Sequence, residues 1–141
     1  MNQKLLIVML LSSLFFMCKN KRASSVNIIG TWASVDSAIL KFKSDSSFSA
    51  TNLPAEYFSF YTLNQEIQKR KVNGLGKWYV ENKNGFQEVK LNFSKMNGKD
   101  QFGFYSVFVA GEKGALENNP PWFLFIWKGE EGGERYEFIK K

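Results

Sequence analysis

The chain has 141 residues, which is enough for one domain, and it is 44% hydrophobic and 23% charged. These values exclude a disordered chain, a coiled coil and a collagen-like fibre. The chain has no His and only one Cys, which excludes His-dependent catalytic triads, the common zinc sites and an internal disulfide. The formal net charge of +6 comes from basic residues scattered among acidic ones, so nucleic acid is not an expected partner.

The first 17 residues predict a signal peptide. Lys4 gives a short basic start, and residues 5–17 are uncharged and almost entirely apolar. An apolar run of this length is too short to cross a bilayer, which takes about 20 residues. We therefore expect residues 1–17 to direct export.

Cys18 follows the apolar run directly and is the only Cys in the chain. This arrangement resembles bacterial lipoproteins, in which the chain is cut just before a Cys that becomes the lipidated first residue. The resemblance implies a membrane anchor on Cys18, a polar tether over residues 18–25 and a location in the bacterial cell envelope. Phe16 and Met17 are bulkier than the residues that usually precede such a Cys, and the alternative is an ordinary secretory signal or an uncleaved anchor.

Residues 26–141 predict a single all-β domain. Short runs that alternate apolar and polar residues are separated by turn residues, and Asn84-Gly85 is the strongest hairpin signal. The sequence predicts a small eight-stranded antiparallel up-and-down barrel, since closure removes exposed strand edges. The predicted strands are 27–34, 38–43, 47–51, 75–82, 86–94, 101–110, 122–128 and 135–140.

The longest connection covers residues 52–73. Asn52 is a candidate N-cap for a short helix that begins near Pro54. Two interpretations remain open for this segment. It forms either a lid over one mouth of the barrel or a plug whose aromatic residues seal that end.

The motif Gly30-Thr31-Trp32 lies at the start of the predicted barrel. It resembles the G-x-W motif of lipocalins and their calycin relatives, and the whole chain resembles small lipocalin-like bacterial lipoproteins. The resemblance implies that Trp32 closes the base of the barrel under a basic residue of the last strand, for which Arg135 is the first choice and Lys140 the second.

Two functions follow from such a barrel. The first is binding of a small apolar ligand, with an interior lined by Phe42, Trp78, Leu91 and Phe104. The second is a structural or protein-interaction module of the cell envelope, with a filled interior and exposed rings near residues 122–127. No enzyme, cofactor or metal site is expected, because the acidic residues do not converge; Glu130, Glu131 and Glu134 fall in a turn.

Overall fold

A computed structural model describes residues 21–58, 71–113, 117–128 and 133–141. The described residues form one short helix, α1 (Ser25–Ile28), one 3-10 turn, η1 (Ala55–Tyr57), and eight strands. The strands are β1 (Gly30–Ala33), β2 (Ile39–Phe42), β3 (Ser47–Pro54), β4 (Lys71–Lys83), β5 (Phe86–Met96), β6 (Lys99–Lys113), β7 (Asn119–Lys128) and β8 (Glu134–Lys140).

The eight strands form a closed antiparallel barrel in sequence order, as predicted. Strand β1 closes the barrel by pairing with β8, where Trp32 lies opposite Lys140. The Asn84-Gly85 turn joins β4 to β5, and both residues have positive φ angles of 50° and 83°. That conformation matches the twist of the flanking strands and suits Asn and Gly.

Because neighbouring strands run in opposite directions, their connections lie alternately at two ends of the barrel. We call one end the base; it contains α1, the turns at 43–46 and 84–85, the β6–β7 connection and the last residues of β8. We call the other end the plugged end; it contains the turns at 34–37 and 97–98, η1 and the start of β8.

The interior is hydrophobic throughout the described residues, and none of the buried residues is charged. Alternation along each strand produces this arrangement, since every second side chain points inward. The largest fully buried side chains are Trp32, Phe42, Phe93, Phe138, Ile28, Leu40, Leu53 and Leu91.

The N-terminal boundary of the domain differs from the prediction. Residues 25–28 form α1 rather than the start of a strand, and β1 begins only at Gly30. Ala23, which falls in the predicted tether, is buried and exchanges two hydrogen bonds with the Gln87 side chain, of 2.9 and 2.8 Å. The last residues of the predicted tether therefore pack with the barrel.

The described part of the 52–73 connection acts as a plug. Asn52 has a positive φ of 55° beside a β-bulge and does not cap a helix; its N–H instead donates to Asn73 Oδ1 at 2.9 Å. Phe58 directly follows the single turn η1; it is buried with the core, and its ring centroid lies 6.1 Å from that of Tyr105. Residues 59–70, with the rest of the predicted helix, lie outside the described residues.

Candidate functional site

Three of the predicted ligand-lining residues, Phe42, Trp78 and Leu91, lie inside the barrel among packed neighbours. The Phe42 ring meets Trp78 edge-on, with centroids 5.2 Å apart, and Trp78 Nε1 donates a hydrogen bond of 3.1 Å to the carbonyl of Lys43. Leu91 is the cross-strand partner of Trp78 and is fully buried. An eight-stranded barrel is just wide enough for side chains of this size to fill it. The protein itself therefore occupies the interior at these positions.

Phe104, by contrast, lies outside the barrel, which corrects the expectation that it lines the interior. It is 79% exposed, and Phe102, two positions earlier on the same face of β6, is 81% exposed. Tyr105 takes the inward position and lies opposite Leu91 in the β5–β6 register. Strand β6 carries large apolar residues on both faces, so its alternation does not reveal which face is inside.

The base of the barrel is closed by Trp32. Its Nε1 donates a hydrogen bond of 2.7 Å to the carbonyl of Ile28 in α1. Lys140 packs over the indole ring, with Nζ 5.5 Å from the centroid, and Gly30 leaves room because a Cβ there would lie 2.9 Å from Lys140 Cε. This contact corrects the first choice, Arg135, in favour of the second.

Arg135 lies instead on the outer wall, over rings of β7 that point away from the interior. Its guanidinium carbon is 4.6 Å from the ring centroid of Phe125, 5.1 Å from that of Trp127 and 5.9 Å from that of Phe123. Glu117 accepts a hydrogen bond of 2.7 Å from Arg135 Nη1. Cation–π attraction and the ion pair keep Arg135 over these rings, and both phenylalanines are buried.

The rings on this wall continue onto the neighbouring strands. Phe125 stacks on Phe108 of β6 at 5.4 Å, and Phe108 meets Phe86 of β5 at 6.1 Å. We call Phe86, Phe108, Phe125 and Trp127 the outer aromatic ladder. Its β7 rings are covered, whereas Phe86 is 59% exposed. The most exposed aromatic rings among the described residues therefore lie on β5 and β6, with Tyr79 of β4 half exposed, and not on residues 122–127 as expected.

A groove of about 380 Å³ runs beside the outer aromatic ladder and reaches the base. Lys21 and Arg22 form part of its wall, together with Trp122 and Arg135. The volume is at the small end of the range for small-molecule sites. The groove also marks where the chain enters the fold, since residues 21 and 22 precede the docked Ala23.

A polar cluster ties the β1–β2 turn to β8 at the plugged end. Asp36 accepts hydrogen bonds from the Ser34 hydroxyl and the Tyr136 phenol, and Lys71 Nζ lies 3.9 Å from its carboxylate. Burial acts to raise the pKa of Asp36, but these donors outweigh it and hold the pKa below its usual value. Burial and the neighbouring carboxylate raise the pKa of Tyr136, so the phenol remains a proton donor to Asp36.

A second polar cluster lies on the outer wall of β4, β5 and β6. Lys90 pairs with Glu88 and, at 3.3 Å, with Glu81, and it donates a hydrogen bond of 2.8 Å to Ser106. Burial would lower the pKa of Lys90, but the two carboxylates raise it overall. Each charged group in the cluster has a partner, and because one cation faces two carboxylates the cluster is net negative.

No three Asp, Glu, Cys or His side chains come together as a metal site in the part of the chain that the structure describes. In those same residues, no helix has the length and apolar character needed to cross a bilayer. Cys18, residues 1–17 and the glutamates at 130 and 131 lie outside the described residues.

Comparison of the chain with family models, with curated proteins and with solved structures gives no significant match. The closed eight-stranded antiparallel barrel is consistent with a lipocalin-like fold. The Trp32–Lys140 contact at its base is the arrangement that the G-x-W resemblance implied. These two features carry the likeness to lipocalins.

Proposed function

We propose that this protein is a lipid-anchored, non-catalytic module of the bacterial cell envelope that acts through its outer surface on a protein partner. The observation that carries the proposal is the contrast between the two sides of the barrel wall. The interior positions around Trp78 and Leu91 are filled, whereas Phe102 and Phe104 extend into solvent.

The anchor is supported by the sequence and by where the chain enters the fold. Cys18 follows an apolar run that has the length of a signal-peptide core. Lys21, three positions after Cys18 in the sequence, is exposed and lines the groove that reaches the base. A lipid on Cys18 would therefore leave the core packing of the barrel undisturbed.

The partner surface is supported by the two exposed rings of β6. Phe102 and Phe104 are two residues apart on one strand, so their side chains project on the same side of the sheet. Complete burial of a Phe side chain is favourable by about 2–3 kcal/mol. Aromatic side chains, Phe included, are enriched in protein interfaces relative to the rest of the surface.

The alternative, an apolar ligand inside the barrel, has less support from the described residues. Phe42 and Trp78 contact each other where the ligand would lie, and Leu91 has no exposed surface. Native mass spectrometry of the protein purified from its own host would detect a lipid carried in the interior. A stoichiometric lipid that survives purification would favour the alternative.

Metabolic labelling with palmitate tests the anchor. The wild-type chain should take up label and fractionate with membranes, and globomycin should block its processing. Cys18→Ala is the matched control and should lose both properties. If Cys18→Ala still takes up label, lipidation does not occur at Cys18 and the anchor is wrong.

Site-specific photo-crosslinking in intact cells tests the partner surface. A photoreactive phenylalanine at Phe104 should give one product of defined mass, and Phe102→Ser should abolish that product. The same probe at Ile139, which is exposed on β8 at the base, is the control and should not give it. Identical products from both positions, or none from Phe104, would contradict a partner at this surface.

A further inference from the structure

We propose that the base of the barrel rests on the anionic surface of the membrane, with the plugged end directed away from it. The proposal deepens the lipid-anchored function and rests on it. It depends on the length of the tether in the sequence and on two features of the described residues, the charge at the two ends and the position of Phe86.

The tether is too short to let the base move far from the bilayer. Lys21 is three residues after Cys18, and an extended chain spans at most about 3.6 Å per residue, so the two positions are at most about 11 Å apart. The 11 residues of β5, tilted as in other barrels, place the plugged end roughly 25–30 Å from the base. A lipid on Cys18 therefore holds the base, and not the plugged end, near the membrane.

The two ends differ in charge. Exposed cations at the base outnumber its acidic side chains, which are Asp45, Glu112 and Glu117, and Glu117 is already paired with Arg135. Apart from Lys140, which packs over Trp32, the exposed cations of the base include Lys21, Arg22, Lys43, Lys83, Lys113 and Lys141.

None of these six cations takes part in an ion pair among the described residues. At the plugged end, by contrast, ion pairs neutralise much of the charge. They are Lys71–Asp36, Lys95–Asp100 and Lys128–Glu134. Among the described residues, the base therefore carries the larger surplus of unpaired cations, which complements anionic lipid headgroups.

Phe86 adds an apolar contact at the base. It follows the turn residue Gly85 directly and is 59% exposed, within the wall of the groove that Lys21 and Arg22 also line. An aromatic side chain beside basic residues suits the headgroup region, where a ring can be partly buried while charges stay hydrated. The anchor, the cations and this ring are thus on one side of the molecule.

The test uses the full chain, recovered from membranes and reconstituted into vesicles of phosphatidylcholine with or without phosphatidylglycerol. A lipidated Cys18 has no free thiol, so the wild-type chain should not react with a thiol-specific fluorophore. Reaction of the wild-type chain would show that the anchor is absent, and the orientation proposal would then fail together with the proposed function. Lys83→Cys at the base and Lys99→Cys at the plugged end each add one labelling site.

With phosphatidylglycerol present, the label at position 83 should be shielded several-fold from acrylamide, and the label at position 99 should remain accessible. The shielding should weaken at about 1 M salt, where the Debye length is about 3 Å. Equal accessibility of both labels on protein that remains bound to the vesicles would overturn the orientation while the anchor stands.

Charge variants give a second measurement that does not depend on the label position. Lys43→Gln/Lys113→Gln removes two cations from the base, and Lys71→Gln/Lys95→Gln removes two from the plugged end. Each lysine near an anionic surface favours the docked state on the order of fivefold. Loss of two lysines in the base variant should therefore reduce the ratio of shielded to accessible label at position 83 by about 30-fold. An equal effect of both variants would show that only net charge matters and would refute a specific docking face.

Discussion

Leu91→Ala measures directly whether the barrel is filled. Leu91 is fully buried, opposite Trp78 on one side and Tyr105 on the other. The substitution removes about three methylene equivalents from the core, at about 0.8 kcal/mol each, and the unfilled space adds to that loss. We expect the free energy of unfolding to fall by about 3–4 kcal/mol, which corresponds to a Tm lower by about 10–15 °C for a domain of this size.

The matched control is Leu75→Ala, the same change at an outward position of β4 that is 53% exposed. Its expected effect is within about 0.5 kcal/mol, because no packed neighbour is lost. Urea denaturation followed by far-UV circular dichroism measures both variants against the wild type. If Leu91→Ala costs no more than Leu75→Ala, the interior holds open space at this position and the argument for a filled barrel fails.

Lys140→Met should lower the free energy of unfolding by about 1–2 kcal/mol in the same urea assay, because it removes both the cation from the Trp32 ring and the 2.6 Å hydrogen bond from Lys140 Nζ to the Asn27 carbonyl; an unchanged value would show that neither contact contributes. The Asp36 pKa is depressed in the fold, so its stabilising contribution is complete above the unfolded pKa near 3.8 and is lost as pH falls through the folded pKa. Between about pH 6 and about pH 3 the wild type should therefore lose more stability than Asp36→Asn, and parallel losses would contradict this. Gly76→Ala should destabilise by about 3 kcal/mol because its Cβ would lie 2.0 Å from a β5 carbonyl oxygen, whereas Gly85→Ala, with open space around it, should cost only about 1–2 kcal/mol for its positive φ. Equal thermal denaturation midpoints for the two glycine variants would be evidence against that close approach.

The architecture follows from the sequence because two local signals agree along most of the chain. The central part of strand β5, residues 88–94, alternates between polar and apolar residues, and its inward set, including Val89 and Leu91, is buried as expected. The Asn84-Gly85 turn fixes one hairpin and its register. Where strand alternation and turn residues agree, the prediction of a barrel depends little on long-range packing.

The site residues were harder to predict because they depend on register between distant strands. The alternation along β8 distinguishes the two candidates. Lys140 lies an even number of residues from the inward residues Tyr136 and Phe138, whereas Arg135 lies an odd number away, on the outward face. The alternation alone therefore favours Lys140 as the partner of Trp32. Strand β6 gives no such signal, so the outward position of Phe104 emerges only from its pairing with β5.

The closure of the barrel and the distribution of its charge support the same functional conclusion. An apolar ligand would have to enter through one of the two ends. At the base, α1 and Trp32 close the entrance. At the plugged end, Phe58 packs into the core against Tyr105. In the orientation that we propose, the surface that remains accessible to another envelope protein is the outer wall near the plugged end, and this is where Phe102 and Phe104 are exposed.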